Sequence, residues 1–225
     1  MLKMRRPLCI LNGAAAAVSA SVMAAYLAGA EARQNAAPTS ITVIAPIFSQ
    51  LVAFSPPSNF VPVYDKEYKS QYILKAVPKG ETLERWTQMI TVTGAKDLAK
   101  NPKVLPTTFA DTIAARFKRS CPKTFSSIGI GNLKLAGHDA CAAVVSCGRV
   151  RLGGGTNNET ALIMVIKGAS DFYTIQWAER APPFDSRPTI DKTLWANRMN
   201  SLGPVMLCPI VPGEKAPYPS CTERK

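Results

Sequence analysis

Residues 161–166, Ala-Leu-Ile-Met-Val-Ile, are apolar at every position. A strand sends successive side chains to opposite faces, so a run without polar alternation needs cover on both of them. It reads as a central strand buried on two sides. The rest of the chain must therefore supply a sheet around this run and packing against each face.

The flanking segments fit that demand. Residues 125–135 and 139–147 read as strands, and Gly153 to Asn158 reads as the loop before the central run. Gly168-Ala169-Ser170 turns the chain into 171–178, where Phe172 and Thr174 oppose Tyr173, Ile175 and Trp177, a hairpin pattern. Upstream, 47–54 is a first strand stopped by Pro56-Pro57. In 68–77, Tyr68, Tyr72, Leu74 and Ala76 face one way and Lys69, Gln71 and Lys75 the other. Pro78-Lys79-Gly80 ends that strand with turn residues. Residues 81–93 begin as a turn and end as a β-branched strand that Gly94 closes.

Two helices are expected. In 106–119, Phe109, Ile113 and Phe117 form an apolar stripe with Ala110 and Ala114, and Thr108 with Asp111 resembles a capping box. In 189–202, Ile190, Leu194, Trp195, Met199 and Leu202 make the buried stripe before Gly203-Pro204. The order predicts an α+β fold: a mostly antiparallel, twisted sheet of about six or seven strands with two main helices packed on it.

The N-terminus sets the compartment. Met1 to Arg6 carries three cations, residues 7–30 carry no charge, and Ala30-Glu31-Ala32 is a small-x-small site. That layout is a signal peptide over 1–32 with cleavage after Ala32. An inner-membrane anchor through residues 7–30 is the alternative, although the run is mostly Ala, Ser and Gly. Residues 33–45 read as a flexible tether, and 46–225 as a single domain with a Pro-rich, disulfide-closed C-terminal tail. The expected location is the periplasm or the exterior, with no membrane-spanning segment after cleavage.

Export permits cysteines to pair. Cys121, Cys141, Cys147, Cys208 and Cys221 follow the leader, an odd number that leaves one thiol over. Sequence alone leaves the connectivity open. The pairing favoured is Cys208–Cys221, closing a tail that holds Pro209, Pro212, Pro217 and Pro219, with Cys121–Cys147 tying a helix end to a strand end. Cys141 lies in an apolar run and reads as a small buried hydrophobe.

The formal net charge is +12, falling to +10 once Lys3, Arg5, Arg6 and Glu31 leave with the signal. Such a balance favours anionic surfaces, but no nucleic-acid motif accompanies it and the compartment argues against one. The densest basic cluster, Arg116 to Arg119, also suits the last turn of a helix.

Catalytic parts are sparse. His138 is the one histidine; with Cys141 it could form a nucleophile pair, but a turn histidine beside a buried cysteine explains both. No Cys-x-x-Cys is present, so neither a metal nor a cofactor is expected. Gly153-Gly154-Gly155 lacks the Gly-Lys-Ser/Thr ending of a phosphate loop, and Asn158-Glu159-Thr160 fits a glycosylation sequon. Trp86, Trp177 and Trp195 fall on expected core stripes, and Glu81, Glu84 and Arg85 form a polar cluster that a surface face explains. The function expected is non-catalytic binding or assembly in the cell envelope, with an envelope protein or an anionic envelope surface as partner. The alternatives are an envelope hydrolase and a secreted factor for anionic lipid or glycan.

Pro78 to Leu83 followed by Trp86 to Met89, and the tail Cys208 to Gly213 through Cys221, resemble segments of small exported bacterial proteins. The element order is similar to that of PsbP/Mog1-like α+β domains. That resemblance implies binding or assembly rather than catalysis.

Overall fold

The structure, a computed structural model, describes residues 41–152 and 155–222. The expected leader over 1–32, the expected cleavage site at Ala32 and most of the expected tether lie outside the described residues, as do Gly153 and Gly154. The strands are β1 (Val43–Ile47), β2 (Gln50–Phe54), β3 (Phe60–Glu67), β4 (Gln71–Pro78), β5 (Gln88–Ala95), β6 (Phe125–Leu135), β7 (His138–Leu152), β8 (Gly155–Lys167), β9 (Phe172–Ala181) and β10 (Met206–Pro209). The helices are α1 (Pro106–Ser120), α2 (Lys192–Ser201) and the short α3 (Pro219–Thr222).

Seven strands form one antiparallel sheet in the order β3-β4-β5-β9-β8-β7-β6, and β1-β2-β10 form a second, three-stranded one. The fold is α+β, mostly antiparallel, with two main helices. β8 sits inside the large sheet and splits its side chains between two cores. Leu162, Met164 and Ile166 join Ile90, Val92, Tyr173, Ile175 and Trp177, covered by Trp195 and Leu202 from the α2 region and by Ile47, Val52, Phe54 and Leu207 of the small sheet. Ala161, Ile163 and Val165 face the other way, under Ala110, Phe109, Ile113 and Phe117 of α1.

Several boundaries differ from expectation, each for a local reason. The first strand is a hairpin: β1 begins at Val43, inside the expected tether, and Phe48-Ser49 turns the chain into β2. β3 was not expected at all. It carries Pro62 at a register shift and ends in Asp65-Lys66-Glu67, features of an edge strand that hide the period-2 signal. Tyr68 lies in the β3–β4 turn, 54% exposed, where its hydroxyl meets that of Tyr64 at 2.8 Å.

Gly94 does not end β5; it pairs with Tyr72 and Tyr173 inside the sheet. A Cβ there would lie 2.6 Å from Ile47 Cγ2, so the glycine lets the small sheet close on the large one.

α1 starts at Pro106, whose fixed φ suits the first helical position, and Leu105 caps it without a side-chain bond. The expected capping box therefore falls inside the helix, where the Thr112 hydroxyl donates to the Thr108 carbonyl at 3.0 Å. α2 begins only after Asp191, whose carboxylate accepts from the amides of Thr193 and Leu194 at 2.9 and 3.0 Å. Leu194, expected in the buried stripe, is 44% exposed, while Trp195 beside it is buried.

Thr156 to Asn158, expected in a loop, belong to β8. The Asn158 side chain donates to the Cys147 carbonyl at 3.1 Å, beside the bulge between Cys147 and Val150. Among the described residues no helix is long and apolar enough to cross a membrane.

Candidate functional site

α1 packs on β7, β8 and β6, so it covers only part of its side of the large sheet. The composition of that face follows the cover. Under the helix stand Cys141, Val145, Ala161, Ile163 and Val165. Beyond its edge the same face turns polar, along a row in which Lys75 pairs with Thr91 and Thr91 with Gln176. In the neighbouring row the hydroxyls of Thr93 and Thr174 meet at 2.7 Å, and Gln176 Nε2 donates to Thr174 at 3.2 Å. A cleft results, floored by β4, β5, β9 and β8 and walled by α1.

One end of the cleft encloses about 620 Å³. That is a size typical of ligand sites. Lys75, Arg116 and Arg180 reach it, together with Trp86, Leu83, Met89, Glu159 and Phe117. Arg180 is its best-fixed group. Glu159 is its register partner on β8, and Nε of Arg180 donates to Glu159 Oε2 at 2.9 Å. The guanidinium carbon lies 3.6 Å from the centre of the Trp86 ring. Such stacking fixes the plane of the cation.

Both members of the ion pair are largely buried, their side chains 11% and 8% exposed. Burial pushes the Glu159 carboxyl above its ordinary value, against the opposing pull of Arg180 and of Lys75. Because the ion pair runs through Nε, the two terminal nitrogens of Arg180 are left for another acceptor. Set against three cations, Glu159 leaves the lining of this end with a net positive charge.

The segment before β5 positions Trp86. Glu81 accepts from the amide and hydroxyl of Thr87 at 2.7 and 2.6 Å, and the Arg180 amide donates to the Thr87 carbonyl at 2.8 Å. Of the expected polar cluster, then, Glu81 brackets a turn while Glu84 and Arg85 are exposed. Trp177 and Trp195 are in the core as expected. Trp86 is not; it is half-buried on the cleft wall.

The cysteines stand in two joined pairs. Cys121 and Cys147 (Cα–Cα 5.8 Å) link the end of α1 to β7, and Cys208 and Cys221 (5.6 Å) link β10 to α3. The first pair packs with Phe117 and Val150, both cleft residues, so it anchors the cleft wall. Cys141 is free and buried, and burial followed by the nearby Asp111 charge raises its thiol to about 11. His138 lies three residues away on the same strand, which puts the two on opposite faces of the sheet. They are not a nucleophile pair. Asn158 of the sequon is buried and hydrogen-bonded.

Arg180, Glu159, Gln176 and Thr91 were not anticipated as site residues. Arg116 was legible only as a helix-end cation and Lys75 only as the outward face of a strand. The available signal was the pairing of Glu159 with Arg180, and it depends on a hairpin register that the sequence does not state.

No protein-family model matches the chain, and no curated protein matches it. Among solved structures it is similar to a mutant of protein Mog1, with 10% identity over 74% of this chain and 86% of that one, at a TM-score of 0.41. It is similar to the Ran-binding protein Mog1p of Saccharomyces cerevisiae, with 9% identity over 73% and 85% of the two chains and a TM-score of 0.40. It is also similar to cyanobacterial PsbP from Synechocystis sp. PCC 6803, with 11% identity over 75% and 94% and a TM-score of 0.41. At this similarity no residue role, ligand or partner passes from them to this chain.

Proposed function

We propose that this chain is a non-catalytic binding protein, exported to the cell envelope or beyond, whose cleft beside α1 holds an anionic group of its ligand. The observation that carries this reading is Arg180: a largely buried guanidinium, oriented by Glu159 and Trp86, with its outer nitrogens unused by that ion pair. Orienting a cation before the ligand arrives lowers the entropy lost on binding. Lys75 and Arg116 add charge around the same space. A lining whose one carboxylate is already in an ion pair supports binding over acid–base chemistry. The leader over 1–32 and the two joined cysteine pairs support export.

The test is a titration of the purified protein with phenyl phosphate, benzoate and the neutral benzamide, read by tryptophan fluorescence. The two anions bind and benzamide does not, and Arg180→Gln weakens the anions by about tenfold or more. Equal binding of all three, or full binding by the Arg180→Gln variant, would refute the site. For export, N-terminal sequencing of the protein from the extracytoplasmic fraction should begin at Arg33; a start at Met1 would contradict cleavage.

A further inference from the structure

Beyond the cationic end the cleft continues as a trough of about 530 Å³. Thr91, Arg116, Phe117 and Gln176 line both parts, so the two are continuous. The lining becomes mixed along the way: past Arg116, Ile73, Leu98, Phe109 and Ile113 stand along a floor that still carries Thr93, with Gln71 and Thr112 also lining the trough. We propose that the ligand is a single-chain anionic amphiphile, with its head at Arg180, Lys75 and Arg116 and its chain lying in this trough. The proposal rests on the anion-binding reading above and adds the chemical class of the ligand.

Length agrees with a chain. β5 runs along the floor from Met89 to Ala95. Six residue steps span about 20 Å. A bilayer core of about 30 Å holds two opposed acyl chains, so one extended chain needs about 15 Å. A small aromatic anion would leave the trough unfilled. An extended acidic peptide would have no backbone to pair with there, because β4, β5, β9 and β8 each already have a strand on both sides. An apolar tail asks for no such pairing, and its burial supplies the affinity.

The experiment measures dissociation constants for octanoate, decanoate, dodecanoate, dodecyl phosphate, dodecyltrimethylammonium and phenyl phosphate, all below their micelle concentrations. Affinity for the carboxylates should rise about three- to fourfold per methylene. Arg180→Gln should weaken every anion by about tenfold or more. Ile113→Thr should flatten the dependence on chain length. Since Ile113 also packs beside α1, dodecanoate carrying a nitroxide near its tail gives a second readout on the unaltered protein: it should broaden the amide resonances of Thr93 to Ala95.

Arg180-dependent binding of phenyl phosphate with no effect of chain length would overturn the amphiphile and leave the anion site standing. Absence of any Arg180-dependent binding would overturn both. Dodecyltrimethylammonium binding as tightly as dodecanoate, or broadening confined to residues outside the trough, would also overturn the assignment. Whether dodecanoate or dodecyl phosphate binds more tightly decides between a carboxylate and a phosphate head.

Discussion

Ser49 donates both its backbone amide (3.1 Å) and its hydroxyl (2.5 Å) to Oδ2 of Asp171, a residue 122 positions further along the chain. Through this contact the tip of the β1–β2 hairpin is fixed to the β8–β9 turn. The same carboxylate accepts from Tyr173 at 3.2 Å and, on Oδ1, from the Asp97 amide at 2.7 Å. Phe48, next to Ser49, sits at φ 53°, and Asp97 at φ 61°. Left-handed backbone at non-glycine residues is costly, and these carboxylate bonds offset that cost.

Replacing Asp171 should therefore be among the most damaging single changes. Asp171→Asn keeps one acceptor oxygen but turns an amide donor toward other donors. A loss of about 3 kcal/mol is expected in chemical denaturation at neutral pH. A loss near zero would remove Asp171 from its joining role.

The pH dependence has a defined sign. Burial would raise the Asp171 carboxyl, but the bonds from Ser49, Asp97 and Tyr173 outweigh it and hold the group below its ordinary 3.8. Its contribution is thus complete above the unfolded value and is lost as pH falls through the lower, folded value. The stability gap between wild type and Asp171→Asn should narrow below about pH 4. A gap that is constant down to pH 2 would contradict this.

Gly94→Ala tests the seam between the sheets. The new methyl would meet Ile47 Cγ2 at 2.6 Å, and overpacking of this kind costs about 2 kcal/mol. Combined with Ile47→Ala, most of that penalty should vanish. A double-mutant cycle reads the coupling, and strict additivity would show that the two residues do not compete for the same space.

The cysteine pairs make a chemical prediction. Non-reducing peptide mapping should recover Cys121–Cys147 and Cys208–Cys221 crosslinks, with Cys141 as a free thiol. The loops closed are 26 and 13 residues. Serine variants of each pair should lose about 3.5 and about 3 kcal/mol respectively. The Cys121–Cys147 variant should also weaken anion binding, since that bond anchors the end of α1. Any crosslink through Cys141 would contradict the pairing.

Cys141 should behave as packing rather than chemistry. It is 4% exposed and its thiol is pushed up to about 11. Native protein at pH 8 should resist iodoacetamide and label rapidly only in denaturant. Fast native labelling would reopen a chemical role.

What was legible in the sequence follows how local the physics is. The apolar run 161–166 required two covering layers and obtained them, and the stripe Phe109–Ile113–Phe117 lies on the sheet as periodicity demands. β3 escaped because proline and charge are what an unpaired edge needs, and they resemble loop chemistry. The hairpin at Phe48 escaped because a distant carboxylate holds its turn, and nothing local announces that. The cleft escaped for a third reason. Lys75, Thr91 and Gln176 look like the solvent face of a half-buried sheet, and they line a site only because α1 stops short of them. Trp86 could be separated from the core tryptophans only once Arg180 was seen stacked on it.

A crystal structure of the protein grown with phenyl phosphate would show directly whether Arg180 holds the anion. Phosphate oxygens should lie within about 3 Å of the terminal nitrogens of Arg180, with Lys75 and Arg116 turned toward the same group. Phosphate bound elsewhere at saturating ligand, with the Arg180 guanidinium facing only solvent, would contradict that placement.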